Sequence, residues 1–267
     1  MITRSALDHE GATSAEIDAA VRGQLRDQLS LYHLDTDLLA ELRPDLILTQ
    51  ALCDVCAVSF GSVERAVAEA GGEPRVLSLE PTTLDGIFGC IIAVGAAAGC
   101  RERALELVDA LRARVERVRA AATALPTRPR VACLEWFDPP FGPGHWLPEL
   151  IAIAGGRPGL GRAGEPSRRI QWGEVIALAP EVIVLAPCGF GLERAVSEAA
   201  AILPHRPGWA ALPAVRAGRV YAVDGSSYFS RPGPRIVDSL ELLAGLIHPE
   251  HFAGWGPAGA ARPVSLA

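Results

Sequence analysis

The chain has 267 residues, enough for one large domain or for two lobes with separate cores. Hydrophobic residues make up 49%, which excludes a disordered chain, and the formal net charge of −6 argues against a nucleic-acid surface. Six cysteines are too few for a disulfide scaffold at this length, and Cys90, Cys100, Cys133 and Cys188 stand alone among apolar or small residues, as packing side chains do.

The opening "MITRSALDHEG" has no apolar run and no cleavage pattern of a secretion signal. No stretch approaches the ~18 apolar residues of a membrane span. Taken as it stands, the chain reads as cytoplasmic. Thr13, Ser14, Ala15 and Glu16 give a helix start before "IDAAVRGQL". "DTDLLAELRP" reads as a short helix ended by Pro44. Strand and helix then alternate, with strands expected at Leu46–Thr49, Arg75–Leu79, Arg130–Leu134, Glu181–Ala186 and Arg219–Val223. Such alternation predicts parallel α/β sheets. Between the second and third strands, Arg101 to Leu125 contains no Gly or Pro. Ala104, Val108, Leu111, Val115, Val118, Ala122 and Leu125 recur at steps of four and three, one apolar stripe on a helix roughly 35 Å long. It is either an ordinary amphipathic helix within one domain or a rigid strut joining two lobes, and the following "ALPTRPR" with the fresh α/β segment favours the strut. The last segment, "GWGPAGAARPVSLA", reads as a loose tail.

Ligands of parallel α/β sheets bind outside the carboxyl ends of the strands. The loops expected there hold Gln50, Cys53, Asp54 and Cys56, then Glu80, then "EWFDPPFGPGHW" from Glu135 to Trp146, then "PCGF", then "DGSSYFSRPGPR" from Asp224 to Arg235. Seven aromatics fall in these loops: Trp136, Phe137, Phe141, Trp146, Phe190, Tyr228 and Phe229. They share them with His, Asp, Arg, Pro and Gly, which suits an aromatic-walled cleft for a large small molecule. Cys53 and Cys56 have the spacing of half a zinc site, without a second pair to close it. Metal binding, redox work, ligand contact and structural thiols all remain open for them. His145 is the only histidine in a post-strand loop and a candidate metal ligand beside them. "GLGRAG", Gly159 to Gly164, matches a dinucleotide fingerprint in letters but follows a helix rather than a strand, so it reads as a loop.

The order "LRPDLILTQ…SVERAVAEAGGEPRVLSLEPTTLDGI", long helix, second α/β lobe and "PGWAALPAVRAGRVYAVDG" resembles the substrate-binding proteins of ABC importers. It is most similar to the class with one rigid inter-lobe helix, and within it to the cobalamin-binding branch. The resemblance covers about Thr3 to Pro249. Its most specific pieces are "RPDLI", the stretch from Trp209 to Val220, and "YFSRPGPR". It implies an α/β fold of class III periplasmic-binding-protein type with two parallel-sheet lobes: an N-terminal lobe over 1–100, the helix over 101–125, a C-terminal lobe over 126–250 and a tail over 251–267. Members normally begin with a further strand and helix, so the first lobe is expected to be truncated, with either a variant start or an upstream segment able to carry a secretion signal to an extracytoplasmic location.

The resemblance also implies a non-catalytic function, in which cobalamin or a related corrinoid or iron complex is trapped between the lobes and no cofactor is required. Tyr228, Phe229, Arg231, Pro234 and Arg235 match the aromatic-pair and arginine pattern of the second lobe. Glu64 in "SVERAV" and Glu193 in "GLERAV" correspond to the acids that dock on an ABC permease. Gln50 stands where some cobalamin binders carry tryptophan. The rival expectations are a cytosolic corrinoid carrier or sensor, and a metal-dependent or redox enzyme centred on Cys53 and Cys56.

Overall fold

The computed structural model describes residues 2–5, 11–27, 31–51, 60–70 and 73–265. The first half holds β1 (Thr3–Ser5), α1 (Ser14–Asp27), β2 (Tyr32–Leu34), α2 (Thr36–Leu42), β3 (Leu46–Thr49), α3 (Phe60–Ala70), β4 (Arg75–Ser78), α4 (Leu84–Ala97) and α5 (Arg101–Thr123). The second holds β5 (Arg130–Leu134), β6 (Trp136–Phe137), β7 (Pro140–Phe141), α6 (Leu147–Ile153), β8 (Arg157–Pro158), α7 (Trp172–Leu178), β9 (Val182–Leu185), α8 (Leu192–Ile202), α9 (Pro213–Arg216), β10 (Val220–Val223), α10 (Ile236–Ile247) and β11 (Ala261–Pro263). All five expected strands form, two with the expected bounds and three with ends one residue shorter. No helix among the described residues is long and apolar enough to cross a membrane.

The second half is organised by one sheet in the order β11-β10-β9-β5-β8, parallel except at β11. β9 lies inside it and reads Val-Ile-Val-Leu with every side chain buried, as a strand covered on both faces must. The pleat then sorts residues by parity. Val131, Cys133, Val182, Val184 and Val223 face a core shared with α5, α6 and α10. Ala132, Leu134, Ile183, Leu185, Val220 and Ala222 face a core closed by α7, α8 and Trp209.

The long helix α5 buries Ala104, Val108, Leu111, Val115, Val118 and Ala122, the expected stripe. It packs on α4 from the first half and on α10 and α6 from the second. α4 turns into α5 at Gly99, whose φ of 72° is the left-handed value glycine supplies at a helix end. The two helices cross so closely that a Cβ on Gly95 would lie 2.3 Å from the Ala104 Cβ. Arg114 pins α5 to α10, with Nη2 at 2.5 Å from Asp238 Oδ1 and 2.7 Å from Glu241 Oε2.

The first half carries smaller sheets among its described residues. β1 pairs antiparallel with β2, and β3 pairs parallel with β4 across α3. The expected start of α1 is realised as a reciprocal cap: Thr13 N–H donates to Glu16 Oε2 at 2.8 Å, and Glu16 N–H to Thr13 Oγ1 at 3.3 Å.

Two sequence expectations fail here. The segment after residue 250 is no loose tail: Phe252, Ala260 and Val264 are buried, and β11 pairs with β10. An edge strand of three residues is too short to show periodicity, so its turn-rich approach dominated the reading. Cys100 and Cys188 are exposed rather than packed, because both sit in glycine-flanked turns; Cys133 is buried as expected and Cys90 half-buried.

Candidate functional site

The loops at the carboxyl ends of β5, β9 and β10 form one rim. Cys188 N–H donates to the Glu135 carbonyl and Ser226 N–H to the Phe190 carbonyl, each at 3.0 Å. A Cβ on Gly225 would lie 2.4 Å from the Pro187 carbonyl oxygen, so glycine is what lets the β9 and β10 loops run side by side.

On this rim Trp136 meets Phe190 edge-on, with centroids 5.1 Å apart. The Arg194 guanidinium lies 3.9 Å from the Phe190 centroid, a cation–π contact. The start of α1 is seated over the group. Trp136 Nε1–H donates to the Ser14 carbonyl at 3.0 Å, Arg194 Nη2–H to the Ala12 carbonyl at 2.7 Å, and Ser14 N–H to Glu198 Oε1 at 2.6 Å. Ile17 packs into the core beneath. The first half of the chain therefore touches the second at the aromatic part of the rim. It also touches at Glu149 of α6, which accepts the Leu84 N–H at the start of α4 at 2.9 Å.

Next to this group, Glu135 shapes the loop that carries His145. Its Oε1 accepts the Gly144 N–H at 3.1 Å and its Oε2 accepts the Ser167 hydroxyl. His145 is clamped by its own backbone: its N–H donates to the Glu165 carbonyl at 2.6 Å, and its carbonyl accepts the Gly164 N–H at 2.9 Å. Its φ of 50° is an uncommon value for a residue with a side chain, and the clamp holds it there. Burial lowers the His145 pKa, so the ring is a neutral imidazole at pH 7. Its Nε2 is enclosed and has no hydrogen-bond partner among the described residues. A neutral imidazole nitrogen is chemically a metal ligand once an ion can reach it.

The structure brings together Glu135, Trp136, Phe190 and the loop of His145, but it divides the expected aromatic wall. Trp146 and Phe229 are 6% and 2% exposed and belong to the α5-facing core, where Trp146 Nε1–H donates to the Phe229 carbonyl at 3.1 Å. Phe190 is 3% exposed in the opposite core. By this measure Trp146, Phe229 and Phe190 are all packing residues, not cleft wall, because their side chains are buried in the two cores on either side of the sheet. Glu135 is likewise corrected from ligand contact to loop anchor: its oxygens satisfy a backbone amide and a hydroxyl of its own loops. Tyr228 is half-buried, with the Arg235 guanidinium 5.8 Å from its ring centroid. Arg231 is exposed and donates from Nε to the Ser226 carbonyl at 3.2 Å. Phe141 faces Trp136 across the β6–β7 pair.

In the first half, Gln50 follows β3 half-buried, and Glu80 is exposed, accepting the Ser78 hydroxyl at 2.6 Å. Cys53, Asp54 and Cys56 lie outside the described residues. Among the described residues no group of three His, Cys, Asp or Glu side chains is arranged to hold a metal ion. Of the expected docking acids, Glu64 is exposed on α3, and Glu193 is exposed but ion-paired to Arg262 at 2.9 Å.

Sequence reasoning missed Ser14, Arg194 and Glu198. The last two carried a weak signal: Arg194 and Glu198 lie four and eight residues past Phe190, on one face of the helix that follows a binding loop. Ser14 had none, since it contributes only backbone atoms.

The model of the periplasmic binding protein family matches residues 18–226. No curated protein matches the chain in sequence. Among solved structures, a possible iron-binding, periplasmic solute-binding protein from Staphylococcus epidermidis superposes with a TM-score of 0.66 at 20% identity, covering 81% of each chain. The periplasmic heme-binding protein RhuT from Roseiflexus sp. RS-1 gives 0.64 at 24% identity, covering 81% of this chain and 80% of that one. A periplasmic heme-binding protein from Pseudomonas aeruginosa gives 0.65 at 22% identity, covering 82% and 77%. At these identities the likeness is one of fold.

Proposed function

Because the chain belongs to the periplasmic binding protein family, we propose that it is a non-catalytic binding protein for a bulky tetrapyrrole-type metal complex, with cobalamin as the ligand and an ABC importer as the recipient. The single observation that carries the ligand class is the rim, where the half-buried Trp136 packs on Phe190 and its neighbour Glu135 anchors the loop that carries the neutral imidazole of His145. Aromatic faces supply the apolar contact a macrocycle needs, at about 25 cal/mol per Å² buried before the costs of ordering. An imidazole nitrogen suits cobalt or iron at its centre. The binding of heme by two proteins of the same fold supports the class and makes haem the competing ligand to test. Glu64 and Glu193 are the proposed contacts to permease arginines, Glu193 exchanging its Arg262 pair on docking. Cys53 and Cys56 are proposed as further ligand contacts or as a zinc site.

The test is a titration of the purified protein with aquocobalamin and, separately, with hemin, read in the visible spectrum. A saturable band shift that disappears in His145→Ala is expected for one of the two. Saturable binding without a band shift would remove His145 as a ligand and keep the aromatic rim. No binding of either compound by folded protein would overturn the assignment. Metal analysis of protein purified without added ligand, with Cys53→Ser as control, tests the zinc alternative.

A further inference from the structure

A cavity of about 350 Å³ opens on the flank of the second half, and it shares no lining residue with the rim. Its wall is formed by Asp138, Arg169, Gln171, Trp172 and Arg206, with Ile170 and the prolines of the β6–β7 turn. Two of these side chains are fixed in place. Arg206 Nη2–H donates to the Phe137 carbonyl and to Asp138 Oδ1, each at 2.9 Å. Trp172 Nε1–H donates to the Pro207 carbonyl at 2.8 Å, and its ring leans on Trp209, with centroids 6.1 Å apart. The Arg206 guanidinium stands over the Trp172 ring, 6.0 Å from its centroid. Arg206 Nε is buried with no hydrogen-bond partner among the described residues.

The charge is unbalanced. Asp138 neutralises Arg206, while Arg169, exposed at the mouth, has no ion-pair or side-chain hydrogen-bond partner among the described residues. Its neighbour Arg168 is already taken by Glu174, at 2.5 Å. The surplus is one positive charge beside a flat indole, in a space that holds about one ring and its substituent. A guanidinium recognises a carboxylate through paired N–H donors, and a fixed indole face adds planar apolar contact. We propose that this cavity is a second binding site, for a small aromatic monocarboxylate, with Arg169 closing on the carboxylate and Trp172 stacking on the ring. A dianion would leave one negative charge unmatched beside Asp138, and a neutral ring would leave Arg169 unpaired.

The full chain labelled with nitrogen-15 tests this with benzoate as the probe, reading the indole N–H resonance of Trp172, which is assigned by its loss in Trp172→Phe. A saturable shift with a dissociation constant on the order of 1 mM is expected for so small a probe. Benzamide, the neutral isostere, should leave the resonance in place. Arg169→Gln, a substitution at an exposed and unpaired side chain, should weaken benzoate at least tenfold without moving the melting temperature. An unmoved resonance, an equal response to benzamide, or undiminished binding in Arg169→Gln would each overturn the proposal. The aquocobalamin and hemin titrations do not involve these residues, so failure of either site is read separately.

Discussion

Substituting Gly144 by alanine tests how the His145 loop is built. The added Cβ would fall 2.0 Å from Ser167 N and 2.6 Å from Pro166 C and Ser167 Cα, all main-chain atoms that cannot rotate away. Restoring an ordinary contact of 3.4 Å requires the two segments to part by about 1.4 Å. They are tied together by His145 N–H to the Glu165 carbonyl at 2.6 Å, by Gly164 N–H to the His145 carbonyl at 2.9 Å, and through Glu135, which grips Gly144 and Ser167 at once. An opening of that size breaks two or three of these bonds. At about 1 kcal/mol each, with some strain remaining, the loss is roughly 2–4 kcal/mol. For a chain of this size that lowers the melting temperature by roughly 4–16 °C. Gly89→Ala is the matched control: it lies exposed in the interior of α4 with nothing within 4 Å of the added carbon, and should gain about 0.5–1 kcal/mol. Urea unfolding of both variants measures the pair. Gly144→Ala should also lose any ligand band shift that depends on His145. A Gly144→Ala protein within about 0.5 kcal/mol of the parent would refute this account of the loop.

Arg114→Met leaves Asp238 and Glu241 facing α5 without a cation, and after discounting for their partial exposure should cost about 2 kcal/mol in urea unfolding, part of it regained by adding Glu241→Gln. His248 is 7% exposed and has Nε2 3.2 Å from the Gly155 carbonyl; burial lowers its pKa, the Gly155 hydrogen bond opposes this, and the nearby Arg219, His251 and Arg128 charges add to the lowering. Its folded pKa is lowered, so the unfolded chain takes the proton first: stability should be complete above about pH 6.5 and fall as the pH drops below it, with a shallower slope in His248→Gln. Trp136→Phe keeps the ring against Phe190 but removes the N–H to the Ser14 carbonyl, so hydrogen exchange at the start of α1 should accelerate while the β9 amides stay protected; equal protection in both proteins would remove the seat. Ser14→Ala deletes a buried hydroxyl that has no partner among the described residues and leaves the backbone bonds, so thermal melting should show it neutral or stabilising.

The parts of the fold that were legible in the sequence are those whose environment repeats with the period of the element. α5 announced six buried positions because each turn of the helix meets the same neighbours, α4 on one side and α10 on the other. β9 announced itself because both faces are covered and every residue obeys one rule. β6, β7, β8 and β11 have two or three residues each, too few for any period, and they went unnoticed. The aromatic loops failed for a related reason. Residue type locates Trp146, Phe190 and Phe229 after strands, but whether a ring points out from the rim or back under the sheet is set by loop direction, which composition does not carry. The short β6–β7 pair reverses the chain within six residues of β5, and that reversal sends Phe137 and Trp146 into opposite cores.

The contact between the two halves at the rim was hidden more deeply. Trp136 and Arg194 reach carbonyl oxygens at Ser14 and Ala12, and Glu198 reaches an amide. Such partners exist at nearly every residue, so the side chain at position 14 says nothing about them. What distinguishes this place is the reciprocal cap of Thr13 and Glu16, which fixes where α1 begins and hence where the unpaired amides of its first turn and the carbonyls beside them are placed. The second half supplies one acceptor and two donors to those atoms. A cap pattern followed by a helix was read from the sequence as local structure alone. Its consequence is tertiary: by setting the first turn of α1 it sets the surface that meets Trp136, Arg194 and Glu198. Any ligand held beside those side chains therefore shares them with backbone atoms of the first half.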